Sequence, residues 1–70
     1  MTFEELYLKC RGEWTSKAFA EATGLSTREF DYVRAGDRPP SLMVWNGMLK
    51  AKPELREEIN QWFLENVLFY

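Results

Sequence analysis

The stretch TSKAFAEATGLSTREFDYVRAG, residues 15–36, gives the clearest indication of the fold. Its apolar spacing predicts two short helices, at about residues 16–23 and 27–35, joined by a sharp turn. Gly24 stands where the first helix must stop and the chain must bend, a position that suits a residue able to take positive φ. The stretch therefore predicts a compact two-helix unit, and we expect the remainder of the chain to pack around it.

The side chains of this unit divide between a small core and an outward face. Ser26 and Glu29 have the spacing of a capping box at the start of the second helix. Ala20 has to be small, because a larger side chain would push the two helices apart. The predicted core consists of Phe19, Ala20, Leu25, Phe30 and Val33. The outward face carries Thr27, Arg28, Asp31 and Tyr32.

The spacing of Ala20, Gly24, Phe30 and Val33 resembles the helix-turn-helix of phage repressor and Cro-type regulators. Residues 36–42, GDRPPSL, are similar to the G-x-R-x-P-S segment that follows the recognition helix in that family. Upstream, RGEWT resembles the R-G-L-T lead-in to the second helix. The resemblance covers roughly residues 2–51. It implies an all-α, five-helix, lambda-repressor/Cro-like domain whose second motif helix enters the major groove of double-stranded DNA, with two subunits reading two half-sites.

The same resemblance implies which residues contact DNA. Arg28 is expected to reach guanine O6 and N7 or a phosphate, and Asp31 to accept from cytosine N4. Tyr32 is expected to contact a phosphate or a thymine methyl, and Thr27 the backbone or a base. Phosphate contacts are expected from Ser16, Lys17 and Arg38. The family often has Gln where this chain has Ser16, whose shorter side chain reaches a phosphate more weakly.

Three further helices are predicted around the motif, giving a single domain over residues 1–70. The first begins after a Thr2–Glu5 capping box and stops near Gly12. Another starts near Ser41 and contains Gly47, which allows close approach of a neighbouring helix. The last starts at Pro53 and runs to about residue 67. The apolar stripes of these helices are Phe3, Leu6, Tyr7 and Cys10, then Leu42, Trp45, Met48 and Leu49, then Leu55, Ile59, Trp62 and Phe63.

Two aromatic regions leave alternatives open. Trp14 either packs as a lid over the core or stacks on a nucleotide. The chain closes with VLFY, an apolar run that either packs on its own core or forms a contact with another subunit or protein. The second alternative predicts a homodimer or partner interface that includes Trp62, Phe69 and Tyr70.

Composition excludes several classes of function. One cysteine and no histidine rule out an internal disulfide and a zinc cluster, and the chain contains no nucleophile motif or glycine-rich phosphate loop. We therefore expect no enzyme, metal or cofactor. Neither a signal peptide nor a membrane span is recognisable, which favours the cytoplasm. The formal net charge of −2 is unusual for a DNA-binding protein, since phosphate neutralisation supplies much of the affinity.

The leading hypothesis is a small sequence-specific transcriptional regulator of phage or prophage origin, associated with the bacterial nucleoid when bound. The alternative is a protein-binding module on the same scaffold that inhibits or sequesters a host protein. An antitoxin, which combines DNA binding with partner binding, is a third hypothesis. The acidic balance and the apolar C-terminus favour the protein-binding hypotheses.

Overall fold

The computed structural model describes residues 1–67, which form five α-helices and one short 3₁₀ turn, without a strand in that range. The helices are α1 (Phe3–Arg11), α2 (Ser16–Thr23), α3 (Thr27–Arg34), α4 (Leu42–Ala51) and α5 (Arg56–Asn66). The predicted all-α, five-helix domain is thereby confirmed. Phe69 and Tyr70, expected in an interface, lie outside the described residues.

Short polar side chains determine where the first helices begin. Thr2 Oγ1 accepts from the Glu5 amide at 3.2 Å while Glu5 Oε1 accepts from the Thr2 amide at 2.8 Å, so the predicted capping box is present. Thr15 Oγ1 caps α2 by accepting from the Ala18 amide at 3.0 Å. Gly12 ends α1 at φ 57°. These local bonds satisfy amides that have no partner within the helices.

The turn between α2 and α3 is held by its own hydrogen bonds. Gly24 adopts the left-handed conformation at φ 82°, as the sequence predicts. The buried Thr23 hydroxyl donates to the Ala20 carbonyl at 2.7 Å and accepts from the Leu25 amide at 3.2 Å. Ser26 Oγ then caps α3 by accepting from its third amide. The turn of residues 24–26 between α2 and α3 is therefore fixed by local hydrogen bonds.

The core is rich in aromatic side chains. Tyr7, Phe19 and Phe30 are buried together, with ring centroids 5.3–5.5 Å apart. This geometry lies within the range that aromatic pairs prefer. The predicted inward residues Phe19, Ala20, Phe30 and Val33 are all buried, and Leu25 packs against them in part.

Gly47 makes a close contact between α4 and α2 possible. A Cβ atom at this position would lie 3.0 Å from both Cβ and the carbonyl oxygen of Thr23, and 3.2 Å from Leu25 Cδ1. Since real Cβ atoms rarely approach other atoms so closely, α4 can lie against α2 only because Gly47 has no side chain. This contact packs α4 against α2, the first helix of the two-helix unit.

The start of the last helix differs from the prediction. Residues Pro53–Leu55 form a 3₁₀ turn, and α5 begins only at Arg56. The cause is local: the Leu55 amide donates to the Lys52 carbonyl at 3.0 Å, a tighter pairing than that of an α-helix. Pro53 has no amide hydrogen, and its ring fixes the turn that precedes α5.

Trp62, which the sequence places in a homodimer or partner interface, lies largely in the core of the chain. Its ring is 8% exposed and packs edge-on against Phe3 and Phe63. Its indole Nε1 donates to the Met1 carbonyl at 2.6 Å. The ring thus joins α5 to the start of the chain. Because its Nε1 hydrogen bond is made within the chain and its surface is mostly buried, Trp62 offers little surface to a partner.

Trp14 covers the core only in part. Its ring centroid lies 6.3 Å from that of Phe19, and 41% of the residue is exposed. The ammonium of Lys52 sits 4.1 Å from the ring centroid, a cation–π contact on a half-open indole. Cys10 is fully buried, and this burial raises the pKa of its thiol to about 11. The thiol therefore stays neutral, as a small apolar core residue.

Candidate nucleic-acid interface

Helix α3 is anchored on one side and open on the other. Phe30 and Val33 hold its inner side in the core, whereas Thr27, Arg28 and Asp31 are exposed. Because these three share the outer side, the helix presents a continuous polar strip to solvent. The strip is long enough to place several side chains against the edges of base pairs.

The seven residues expected to contact DNA differ in how exposed they are. Lys17, Thr27, Arg28, Asp31 and Arg38 are exposed, whereas Ser16 and Tyr32 are half-buried. Lys17 and Arg28 make no ion pair within residues 1–67, so both charges are available to a ligand. Asp31 is near a cation, with Oδ1 4.0 Å from Arg34 Nη1.

Tyr32 and Arg38, separate candidates in the sequence, form one unit in the structure. The Arg38 guanidinium carbon lies 4.5 Å from the centroid of the Tyr32 ring. The amides of Asp37 and Arg38 both donate to the Tyr32 carbonyl, at 2.9 and 3.3 Å. Gly36 permits this reversal by taking φ 83°. The guanidinium is thus oriented at the C-terminal end of α3, and the G-x-R spacing of Gly36 and Arg38 was the sequence signal for it.

Arg34 is withdrawn from the candidate surface by a contact with α1. Its Nε and Nη2 donate to Glu4 Oε1 and Oε2 at 2.5 and 2.9 Å, a bidentate pair. The guanidinium also lies over the Tyr7 ring, 4.4 Å from its centroid. The hydrogen bond from Arg34 lowers the pKa of Glu4, and the same bond raises the pKa of Arg34. Arg34 therefore ties α3 to α1 and is not a free phosphate ligand.

Arg11 brings a cation to the start of α2 that sequence reasoning did not assign to the site. Its Nη1 donates to Ser16 Oγ at 3.1 Å, so the expected phosphate ligand Ser16 already has a partner. Arg11 forms no ion pair with a described carboxylate, and its buried Nε has no hydrogen-bond partner there. Its place in the lead-in segment, five residues before Ser16, was the available signal.

The charge of the motif surface is close to balanced. Three cations face solvent, Lys17, Arg28 and Arg38, and so do three carboxylates, Glu21, Asp31 and Asp37. The surface therefore has no basic patch, and any binding to DNA must rest on a few well-placed cations. Neutral balance lowers long-range attraction to DNA but does not prevent close contacts to base edges.

Within residues 1–67, no three His, Cys, Asp or Glu side chains are grouped as metal ligands, and no helix is long and apolar enough to cross a bilayer. Comparisons of the chain with protein-family models, with curated proteins and with solved structures find no match. Function must therefore be inferred from the geometry of the helix–turn–helix unit and its exposed face.

Proposed function

We propose that this chain is a small sequence-specific DNA-binding transcriptional regulator of the Cro or repressor kind, encoded by a phage or prophage. It would act in the bacterial cytoplasm, on the nucleoid when bound to DNA. The observation that carries the proposal is the exposed strip of Thr27, Arg28 and Asp31 on a helix whose other side is buried in the core. A helix anchored in this way, with free polar side chains, is what direct readout in the major groove requires.

The roles within the proposed complex follow from the side chains. Arg28 is uncompensated and exposed, which suits bidentate contact with guanine. Lys17 and the oriented Arg38 guanidinium suit phosphates on either side of the groove, with Arg11 and Ser16 as a further donor pair at the start of α2. Asp31 discriminates among bases by favouring cytosine N4 and by repelling nearby phosphates.

The proposal is tested by selecting DNA from a random pool and titrating it with matched variants. Arg28→Ala should cost about 1–3 kcal/mol on the selected site and relax preference at one base pair. Arg38→Ala should weaken all sequences alike. Arg56→Ala is the control, because Arg56 is an exposed arginine on α5, outside the motif. Equal losses for Arg28→Ala and Arg56→Ala would contradict a reading role for α3.

A protein-binding module that inhibits or sequesters a host protein is the second candidate. The acidic net charge and the neutral motif surface favour it. An antitoxin would use both kinds of partner. This candidate predicts that DNA binding is undetectable at physiological salt and that Arg28→Ala stays fully active in the cell. The two proposals therefore give opposite results for the same variant.

A further inference from the structure

A pocket with an apolar lining lies between Met1 and the outer side of α5. Four of its lining residues are three or four positions apart on α5, and the fifth is the first residue of the chain: Met1, Glu58, Gln61, Trp62 and Glu65. Its apolar surface includes Met1, which is 63% exposed, and the small exposed part of Trp62. The hydrogen bond from Trp62 Nε1 to the Met1 carbonyl joins these two sides of the pocket.

The volume of the pocket, about 200 Å³, indicates what kind of group it suits. Pockets that hold small-molecule ligands usually measure roughly 300–1,000 Å³ and enclose most of the ligand. This pocket is smaller, and most of the residues that line it are exposed. It therefore suits one apolar side chain that projects from a larger partner.

The surface around the pocket is acidic. Residues 53–67 contain four glutamates and a single cation, Arg56, so this segment has a formal charge of −3, against −2 for the whole chain. The glutamates are exposed, and with Gln61 they recur at steps of three or four residues along α5 and the turn before it. They are Glu54, Glu57, Glu58 and Glu65.

Glu65 is a carboxylate whose charge no other described residue balances. Glu58 pairs with Lys9, whereas Glu65 forms no ion pair within residues 1–67 and accepts a hydrogen bond from Gln61 Nε2 at 3.1 Å. Glu65 also lies in the last turn of α5, which contains no basic residue. The C-terminal end of a helix carries partial negative charge, so an anion there is unfavourable and a cation is favourable. A cation from a partner would therefore be attracted both by the carboxylate and by the helix end.

We propose that this surface, here called the α5 face (Met1, Glu58, Gln61, Trp62 and Glu65), binds a basic segment of a partner protein. The segment inserts one apolar side chain into the pocket and places a lysine or arginine beside Glu65. Charge complementarity selects this partner, because DNA and anionic lipid surfaces are repelled by the glutamates. A second copy of the chain in a two-fold contact brings the same glutamates together, which is also unfavourable.

The α5 face shares no residue with the candidate DNA-contact surface on α2 and α3. The proposal therefore goes beyond DNA binding and does not rest on it, and it assigns a definite surface to the protein-binding candidate. Its test contains no DNA, so its failure is distinct from failure of the DNA-binding proposal.

The probe is a short helical peptide with one central leucine flanked by lysines, added to the unmodified chain with Met1 retained. The indole N–H signals are followed by NMR. The Trp62 signal should shift and saturate, because Trp62 lines the pocket, while the signal of Trp14, which lies outside it, should not move. Replacing the peptide leucine by serine should weaken binding about tenfold, since the apolar side chain no longer fills the pocket. An unmoved Trp62 signal, or equal affinities for the two peptides, would overturn the proposal.

Two charge reversals separate the α5 face from a general effect of net charge. Glu65→Lys should weaken the leucine peptide about tenfold or more, because a cation then faces the peptide lysines. Glu13→Lys is the matched control, since Glu13 is exposed and gives the same change in net charge but lies outside α5 and the pocket. A lysine in the last turn of a helix suits the dipole, so Glu65→Lys should keep its helix content. Equal losses of affinity for the two variants would refute the assignment to the α5 face.

Discussion

Replacement of Gly47 by alanine tests the contact that supports the motif. An alanine Cβ would lie 3.0 Å from both Cβ and the carbonyl oxygen of Thr23. Alanine gains about 1 kcal/mol of helix propensity over glycine, and overpacking of a close contact costs about 1–3 kcal/mol. Since one of the crowded atoms belongs to the backbone of α2, relaxation is limited. We expect a net loss of roughly 1 kcal/mol, which lowers the melting temperature by about 4–8 °C.

The assay is thermal and urea unfolding followed by circular dichroism. Asn46→Ala provides the control, because the neighbouring residue is exposed on the same helix and gains propensity without a steric contact. Gly47→Val should lose more than Gly47→Ala, since its branched side chain adds volume at the same point. If Gly47→Ala melts at or above the parent temperature, α2 and α4 do not approach as closely as described.

Three other predictions concern the turn, the α1–α3 ion pair and the thiol. Gly24→Ala should cost about 1–2 kcal/mol in unfolding experiments, because φ 82° is strained for a residue with a Cβ, while Gly24→Asn should lose less; equal stabilities would contradict the left-handed turn. Folding lowers the pKa of Glu4. The ion pair between Glu4 and Arg34 therefore stabilises the protein at pH values above the pKa that Glu4 has in the unfolded chain, and this stabilisation disappears as the pH falls through the pKa of Glu4 in the folded protein. Because the Glu4 side chain is 41% exposed, this loss of unfolding free energy at low pH is at most about 1 kcal/mol. The same loss should be absent when the Glu4→Gln variant is unfolded by acid. Cys10 should react with alkylating reagents only as fast as the protein opens, since the thiol is buried and its pKa is about 11; rapid labelling of the native protein would refute its burial.

Features encoded by neighbouring residues could be predicted from the sequence. The Thr2 capping box, the Ser26 cap and the left-handed Gly24 depend on bonds that span a few residues, and all three are present. The bounds of α2 agree with the prediction, and α3 ends one residue earlier, at Arg34. Local side-chain chemistry therefore determined most of the helix boundaries.

Features that depend on distant residues could not be predicted. The bidentate pair joins Arg34 to Glu4 across thirty positions, and no local pattern signals it. Helical periodicity correctly grouped Trp62 with an apolar stripe, but its burial depends on the Met1 carbonyl and Phe3 at the other end of the chain. Periodicity also predicted an inward Leu42, although the first turn of α4 extends past the core.

A salt series on the parent protein tests the proposal that α3 reads DNA. Selected and random DNA should be titrated at increasing salt, and the logarithms of affinity and salt concentration compared. Three or four phosphates neutralised per copy predict a slope of roughly −5 to −7 for a dimer, at about −0.9 per phosphate. A DNA-reading α3 should give this slope together with tighter binding to the selected pool. A selected pool bound no more tightly than the random pool would contradict it.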